Sequence, residues 1–150
     1  MRNIFLLSFV LTFWAGLCFA DEGDDTLKYY LSKSGCVVLG TILSEPTGTV
    51  DESGVVNYYC DVNVVDVCKG TASLKDKTVY VNIIRFEMGL KDHNPLIKKD
   101  SVCILFLKKN PDNLPVWVTA DFWFGVQYPS PLMVISLKRL AEIEKKNTKP

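Results

Sequence analysis

The sequence predicts a mainly β protein: a five-stranded Greek-key barrel of the OB type, with a short N-terminal helix and a C-terminal helix packed on it. Three observations carry that expectation. Five β-branched, apolar runs are spread over residues 36–124, separated by segments rich in glycine, proline and asparagine. The second run is long, and its alternation slips by one residue. Helix signals are confined to the two ends of the domain. A sandwich of two sheets is the alternative that the same spacing allows.

The first twenty residues, MRNIFLLSFVLTFWAGLCFA, read as a secretory signal. Arg2 supplies the positive start, Ile4 to Leu17 is almost wholly apolar, and Cys18-Phe19-Ala20 offers small residues where a signal peptidase reads them. The apolar run is short for a membrane span, which needs about 20 residues. An uncleaved anchor is the alternative; a lipoprotein signal is disfavoured, because Leu17 stands where a small residue belongs. The expected organisation is a signal over 1–20, an acidic lead-in and short helix over 21–34, a barrel over 35–128, and a C-terminal helix and tail over 129–150. The destination is the periplasm or the extracellular space, with no stable membrane insertion after cleavage.

Within the domain, Asp25 or Thr26 can cap a helix over Leu27–Ser34, which Gly35 ends. Cys36 to Leu43 is the first strand, and S-E-P-T-G-T-V-D-E-S-G is a loop or hairpin tip. In the second strand Tyr58, Cys60, Val62 and Val64 alternate with Tyr59, Asp61 and Asn63 before the slip at Val64-Val65, which predicts a β-bulge. Thr78–Phe86 is the third strand and Ser101–Leu107, apolar throughout, the fourth. The fifth starts at Val116. Continued through D-F-W-F, it places Val116, Val118, Ala120, Phe122 and Phe124 on the barrel side, and Trp117 and Trp123 on the other. Ser130-Pro131 is an N-cap followed by proline at the first helical position, opening a helix to Lys146 with an apolar stripe of Met133, Leu137, Leu140 and Ala141. That stripe is expected to cover the two tryptophans; exposed indoles stacking on a ligand are the competing reading.

Charge and motifs exclude several functions. Arg2 leaves with the signal, so the 17 acidic residues then exceed the basic ones by one, whereas a nucleic-acid binder carries a basic excess. Four cysteines remain, Cys36, Cys60, Cys68 and Cys103. Export favours disulfides, but their apolar strand settings suit buried thiols equally, and both readings stay open. No C-x-x-C pair accompanies the single histidine, His93, which sits in the turn sequence K-D-H-N-P, so neither a metal nor a cofactor is expected. Asp61 and Asp66 read as a solvated strand face, and no catalytic residue is assigned. A protein or peptide partner fits best. Its candidate surface combines Glu45, Asp51 and Glu52 of the first long loop, the turn over Lys108–Pro115, and Trp117, Trp123 and Tyr128.

The runs Cys36-Val-Val-Leu-Gly40, Tyr59 to Lys69-Gly70, Val79-Tyr-Val-Asn82 and Cys103-Ile-Leu-Phe-Leu107 resemble the OB-fold domain of tissue inhibitors of metalloproteinases and netrin C-terminal modules, in particular small exported bacterial members of that superfamily. The resemblance spans residues 35–125 and implies a closed barrel with flanking helices and no enzymatic activity. The animal inhibitors block a catalytic zinc with a cysteine at their mature N-terminus. Here the mature chain starts at Asp21 and its first cysteine is Cys36, so that route of inhibition has no counterpart. The function expected is an interaction or structural module, with inhibition of an exported protease through barrel loops as the alternative.

Overall fold

The structure, a computed structural model, describes residues 23–86, 97–112, 114–122 and 124–148. Helix α1 occupies residues 23–33. Seven strands follow among the described residues: β1 (Cys36–Ile42), β2 (Thr47–Val50), β3 (Val55–Lys69), β4 (Thr78–Phe86), β5 (Val102–Lys109), β6 (Trp117–Thr119) and β7 (Val126–Gln127). Helix α2 (Pro131–Asn147) closes the fold. The predicted connection over residues 87–96, with His93, lies outside the described residues.

Five of the strands form a ring. β1 pairs with β3 and β3 with β4, both antiparallel; β4 pairs parallel with β6, β6 antiparallel with β5, and β5 returns to β1. This is the predicted OB-type Greek-key barrel, with one parallel contact between the third and fifth strands of the ring. β2 lies outside the ring, paired with the first half of β3.

Alternation along each strand populates two separate cores. Cys36, Val38, Ile42, Cys60, Val62, Val64, Val81, Ile83, Cys103, Leu105 and Leu107 fill the barrel. The opposite side chains of β1 and β5, Val37, Ile104 and Phe106, join Leu31 of α1 and Leu137 and Leu140 of α2 in an outer layer. From Cys103 to Leu107 β5 is wholly apolar because it faces a core on each side, the reason a central strand loses its alternation.

The slip in β3 is a bulge at the predicted place. Leu39 pairs with Asp66 and Gly40 with Val64, leaving Val65 without a counterpart and 40 % exposed. A second irregularity skips Cys68, which turns into the helix layer while Val67 packs on the barrel core. Two extra residues in one long strand let it wrap two sides of the barrel.

Several expectations need correction. α1 begins by residue 23, so Asp25 and Thr26 lie inside it; Asp25 pairs with Lys28 one turn on, at 2.7 Å. The loop before β3 contains a strand, β2, and β5 runs on through Lys108 and Lys109, which the sequence assigns to the turn. Most consequentially, the fifth strand is interrupted. Thr119 pairs with Leu107 and Val126 with Leu105, so the chain leaves the ladder opposite Phe106, whose N–H donates to Gly125 O and whose carbonyl accepts from Ala120 N–H. The excursion carries Phe124 into the helix layer, stacked on Tyr30 at 4.2 Å, and leaves Phe122 42 % exposed; neither fills the barrel. Gly125 makes the turn possible: a Cβ there would lie 2.5 Å from Asp121 O and 2.6 Å from Thr119 Cβ.

α2 starts as predicted. Ser130 Oγ accepts from Met133 N–H at 3.1 Å, and Pro131 opens the first turn. Two ion pairs fasten the helix to β3: Lys138–Asp66 at 2.6 Å, and Lys69–Glu144, where Lys69 Nζ also donates to Leu31 O of α1 at 2.7 Å. Its stripe covers Phe106 and Phe124 instead of Trp117, which packs against the barrel core; the expected faces of the fifth strand are exchanged, since Ala120 packs in the helix layer and Val118 pairs with the outward Asn82.

Candidate binding face

The helices cover the outside of β1 and β5, and the outside of β2, β3 and β4 carries a different chemistry. Register brings its side chains into rows: Thr49, Asn57 and Ile84; then Thr47, Tyr59 and Asn82; then Asp61 and Tyr80. Tyr59 and Tyr80 stack across the strands, with centroids 6.0 Å apart and planes 22° from parallel, and Tyr80 is 44 % exposed. Beside them Asn82 Nδ2 donates to Asn57 Oδ1 at 3.0 Å, while the buried Asn82 Oδ1 has no hydrogen-bond partner among the described residues. Asp61 borders the pair, its main-chain N–H donating to Ser44 Oγ at 2.9 Å. The result is a flat aromatic patch framed by amides, hydroxyls and one carboxylate. In OB barrels the corresponding face, on the second and third strands of the ring, is where ligands commonly bind.

Sequence reasoning missed this pair. Both tyrosines stand at outward positions flanked by polar outward residues, Asn57 and Asp61 on β3 and Thr78 and Asn82 on β4, which is the available signal; their contact depends on the register of β3 against β4.

The residues predicted from sequence are scattered. Glu45, Asp51 and Glu52 are exposed, as is Tyr128 at 61 %. Asp51 organises the β2–β3 hairpin tip: its Oδ1 accepts from Ser53 N–H at 2.8 Å, Ser53 Oγ at 2.6 Å and Val55 N–H at 3.0 Å. Those bonds, the Ser53 hydroxyl foremost, hold its carboxyl below the usual range. Trp117 is half-buried and lines a hollow of about 360 Å³ with Leu114 and Pro115. Trp123 lies outside the described residues.

All four cysteines are buried free thiols. Burial pushes Cys36 and Cys68 up to about 11, and Cys60 and Cys103 up to about 12, so none is a thiolate at neutral pH. Cys36 faces the barrel and Cys68 the helix layer, on opposite sides of the wall. A cleft of about 630 Å³ opens between the end of β3 and α2, along Cys68, Lys69, Gly70, Glu142 and Lys145, and the Lys69–Glu144 contact that borders it already joins helix to strand. Among the described residues no three His, Cys, Asp or Glu side chains form a metal-binding group.

Fold and face together define a five-stranded OB-type barrel with one half of its wall under helices and the other bare and aromatic. Compared with protein-family models and with curated proteins, the chain matches none.

Proposed function

We propose that this chain is an exported, non-enzymatic OB-fold module of the netrin-like kind, which binds a protein partner through the outer face of β2, β3 and β4. The observation that carries the reading is the stacked Tyr59–Tyr80 pair, left open on the one half of the barrel that the helices do not cover. Tyrosine is enriched at protein interfaces because a rigid, amphipathic ring buries much area at little entropic cost. The acidic residues nearby, Glu45, Glu52 and Asp61, disfavour a phosphate backbone. The signal-like first twenty residues point to an encounter outside the cytoplasm.

A photo-reactive benzoylphenylalanine replacing Tyr80, in protein expressed from the full-length gene, tests the reading. Expected is a discrete cross-linked product in the exported fraction, absent when the probe replaces Ser73, with the recovered chain starting at Asp21. No product at either position, or a chain retained in the cytoplasm, refutes it. The second reading, inhibition of an exported protease, is favoured by the Asp51-braced hairpin tip, since an inhibitory loop must be stiff before it binds. It predicts stoichiometric loss of protease activity that Asp51→Ala relieves.

A further inference from the structure

The partner's mode of attachment can be read from β2. Among the described residues β2 pairs with β3 on one side only, and all four of its residues are exposed. Antiparallel pairs alternate between those that exchange hydrogen bonds and those that do not. Asp51 N–H donates to Val55 O, so Asp51 and Val55 are of the bonded kind, and the alternation then runs back through Thr49–Asn57 and Thr47–Tyr59. Gly48 and Val50 therefore turn their N–H and C=O groups away from β3, presenting two donors and two acceptors to the outside.

Natural sheets blunt such edges with lysines, prolines or bulges. β2 carries no charge; only Pro46 guards its start, and Gly48 presents no side chain. A Cβ at Gly48 would lie 2.8 Å from the Tyr58 ring, so the glycine answers to packing, and the bare edge comes with it. The charged residues nearest this edge are acidic; Arg85, in register with Val50 through Val56, stands two strands away on β4. Between Lys33 and Lys69 there is no basic residue, while Glu45, Asp51, Glu52 and Asp61 flank β2 or lie on its tyrosine face.

We propose that β2 accepts an extended, lysine- or arginine-bearing segment of the partner as an added strand, its main chain paired with Gly48 and Val50 and its cations facing that acidic rim. Main-chain pairing supplies the affinity in strand addition, and side chains set the specificity. The inference rests on the binding-module reading and names the chemistry of its partner.

The probes are ten-residue peptides of alternating threonine and lysine, the threonine–glutamate counterpart, and a threonine–lysine peptide N-methylated along one edge. Amide exchange is followed on the full chain as exported. Expected is slowing of the Gly48 and Val50 amides by roughly tenfold or more with the lysine peptide, and binding weaker by a similar factor for the other two. Val50→Pro removes an outward donor and leaves the bonds to β3 in place, so it abolishes the effect while β3 exchange stays unchanged. Equal binding by the glutamate or N-methylated peptide, or by Val50→Pro, overturns the proposal. So does protection of β2 that rises with protein concentration alone, which identifies a second copy as the occupant. Repeating the Tyr80 cross-link with Val50→Pro separates the two conclusions: an unchanged product sinks strand addition and leaves the binding module standing, whereas no product in either background sinks the module itself.

Discussion

Gly40 sits where β1 is held on both sides, opposite Val64 of β3 and Cys103 of β5, so it reports on closure of the barrel. A Cβ added there would lie 2.5 Å from Val62 Cγ1 and 3.2 Å from Asn63 O. Gly40→Ala therefore overpacks the interior, at about 1–3 kcal/mol, offset by up to about 1 kcal/mol because alanine restricts the unfolded chain. The net loss expected is about 1–2 kcal/mol. Val62→Ala removes two fully buried methyl groups, worth about 0.8 kcal/mol each plus a cavity term, or about 2–3 kcal/mol in all. In the double variant the methyl introduced by Gly40→Ala enters the space vacated by Val62. The pair should then cost about 2–3 kcal/mol instead of the additive 3–5, a coupling of about 1–2 kcal/mol. Urea unfolding of the four proteins, monitored at constant m-value, measures the cycle. Additivity within about 0.5 kcal/mol, or a Gly40→Ala protein as stable as the parent, would refute the close approach of β1 and β3 inside a closed barrel.

Gly125→Ala, whose new methyl would meet the Cβ of Thr119 and the main-chain carbonyl of Asp121, which no truncation removes, should destabilise more than Gly40→Ala by thermal melting. Leu137→Ala, at a fully buried site, should cost about 2–5 kcal/mol in urea, and Ser130→Ala about 1 kcal/mol through the lost cap. The hydrogen bond from Lys138, and then that from Val67 N–H, hold the Asp66 carboxyl low. Its contribution is thus complete above the ordinary aspartate range of about 3.9 and is lost as pH falls through the lower native value. Both groups are partly exposed, so Asp66→Asn should cost no more than about 1 kcal/mol at pH 7, a gap that closes in acid and shrinks with salt. Ellman's reagent should find no reactive thiol in the native protein and four after denaturation without reductant. Fewer than four would reveal disulfides, and a fifth would reveal that Cys18 had stayed with the chain.

Much of the fold was legible in particular residues. The Val64-Val65 slip marked its bulge because a period of two cannot absorb an extra residue without reversing every later side chain. Ser130-Pro131 marked the start of α2 because capping and a missing N–H are both local. The fifth strand misled for the opposite reason. Val116 to Phe124 alternates convincingly, yet the excursion opposite Phe106 is set by Gly125 closing on Thr119 and by bonds to a strand remote in sequence, neither of which alternation can reveal. The tryptophans drew attention by size alone; Trp117 serves the edge of the barrel core, whereas the smaller, outward tyrosines make the candidate face.

The sequence by itself determined the course of β1, β3 and β4 and the apolar run of β5, and where α2 begins, since these follow from backbone preferences and periodicity within a few residues. Only the tertiary structure decided which half of the barrel wall lies under α1 and α2, which strand keeps an open edge, and that Tyr59 meets Tyr80. Those outcomes depend on pairings between strands far apart in the chain. A residue's exposure on a closed barrel is fixed by what packs over it, and the residues that do so here, Leu31, Leu137 and Leu140, are contributed by the two ends of the chain.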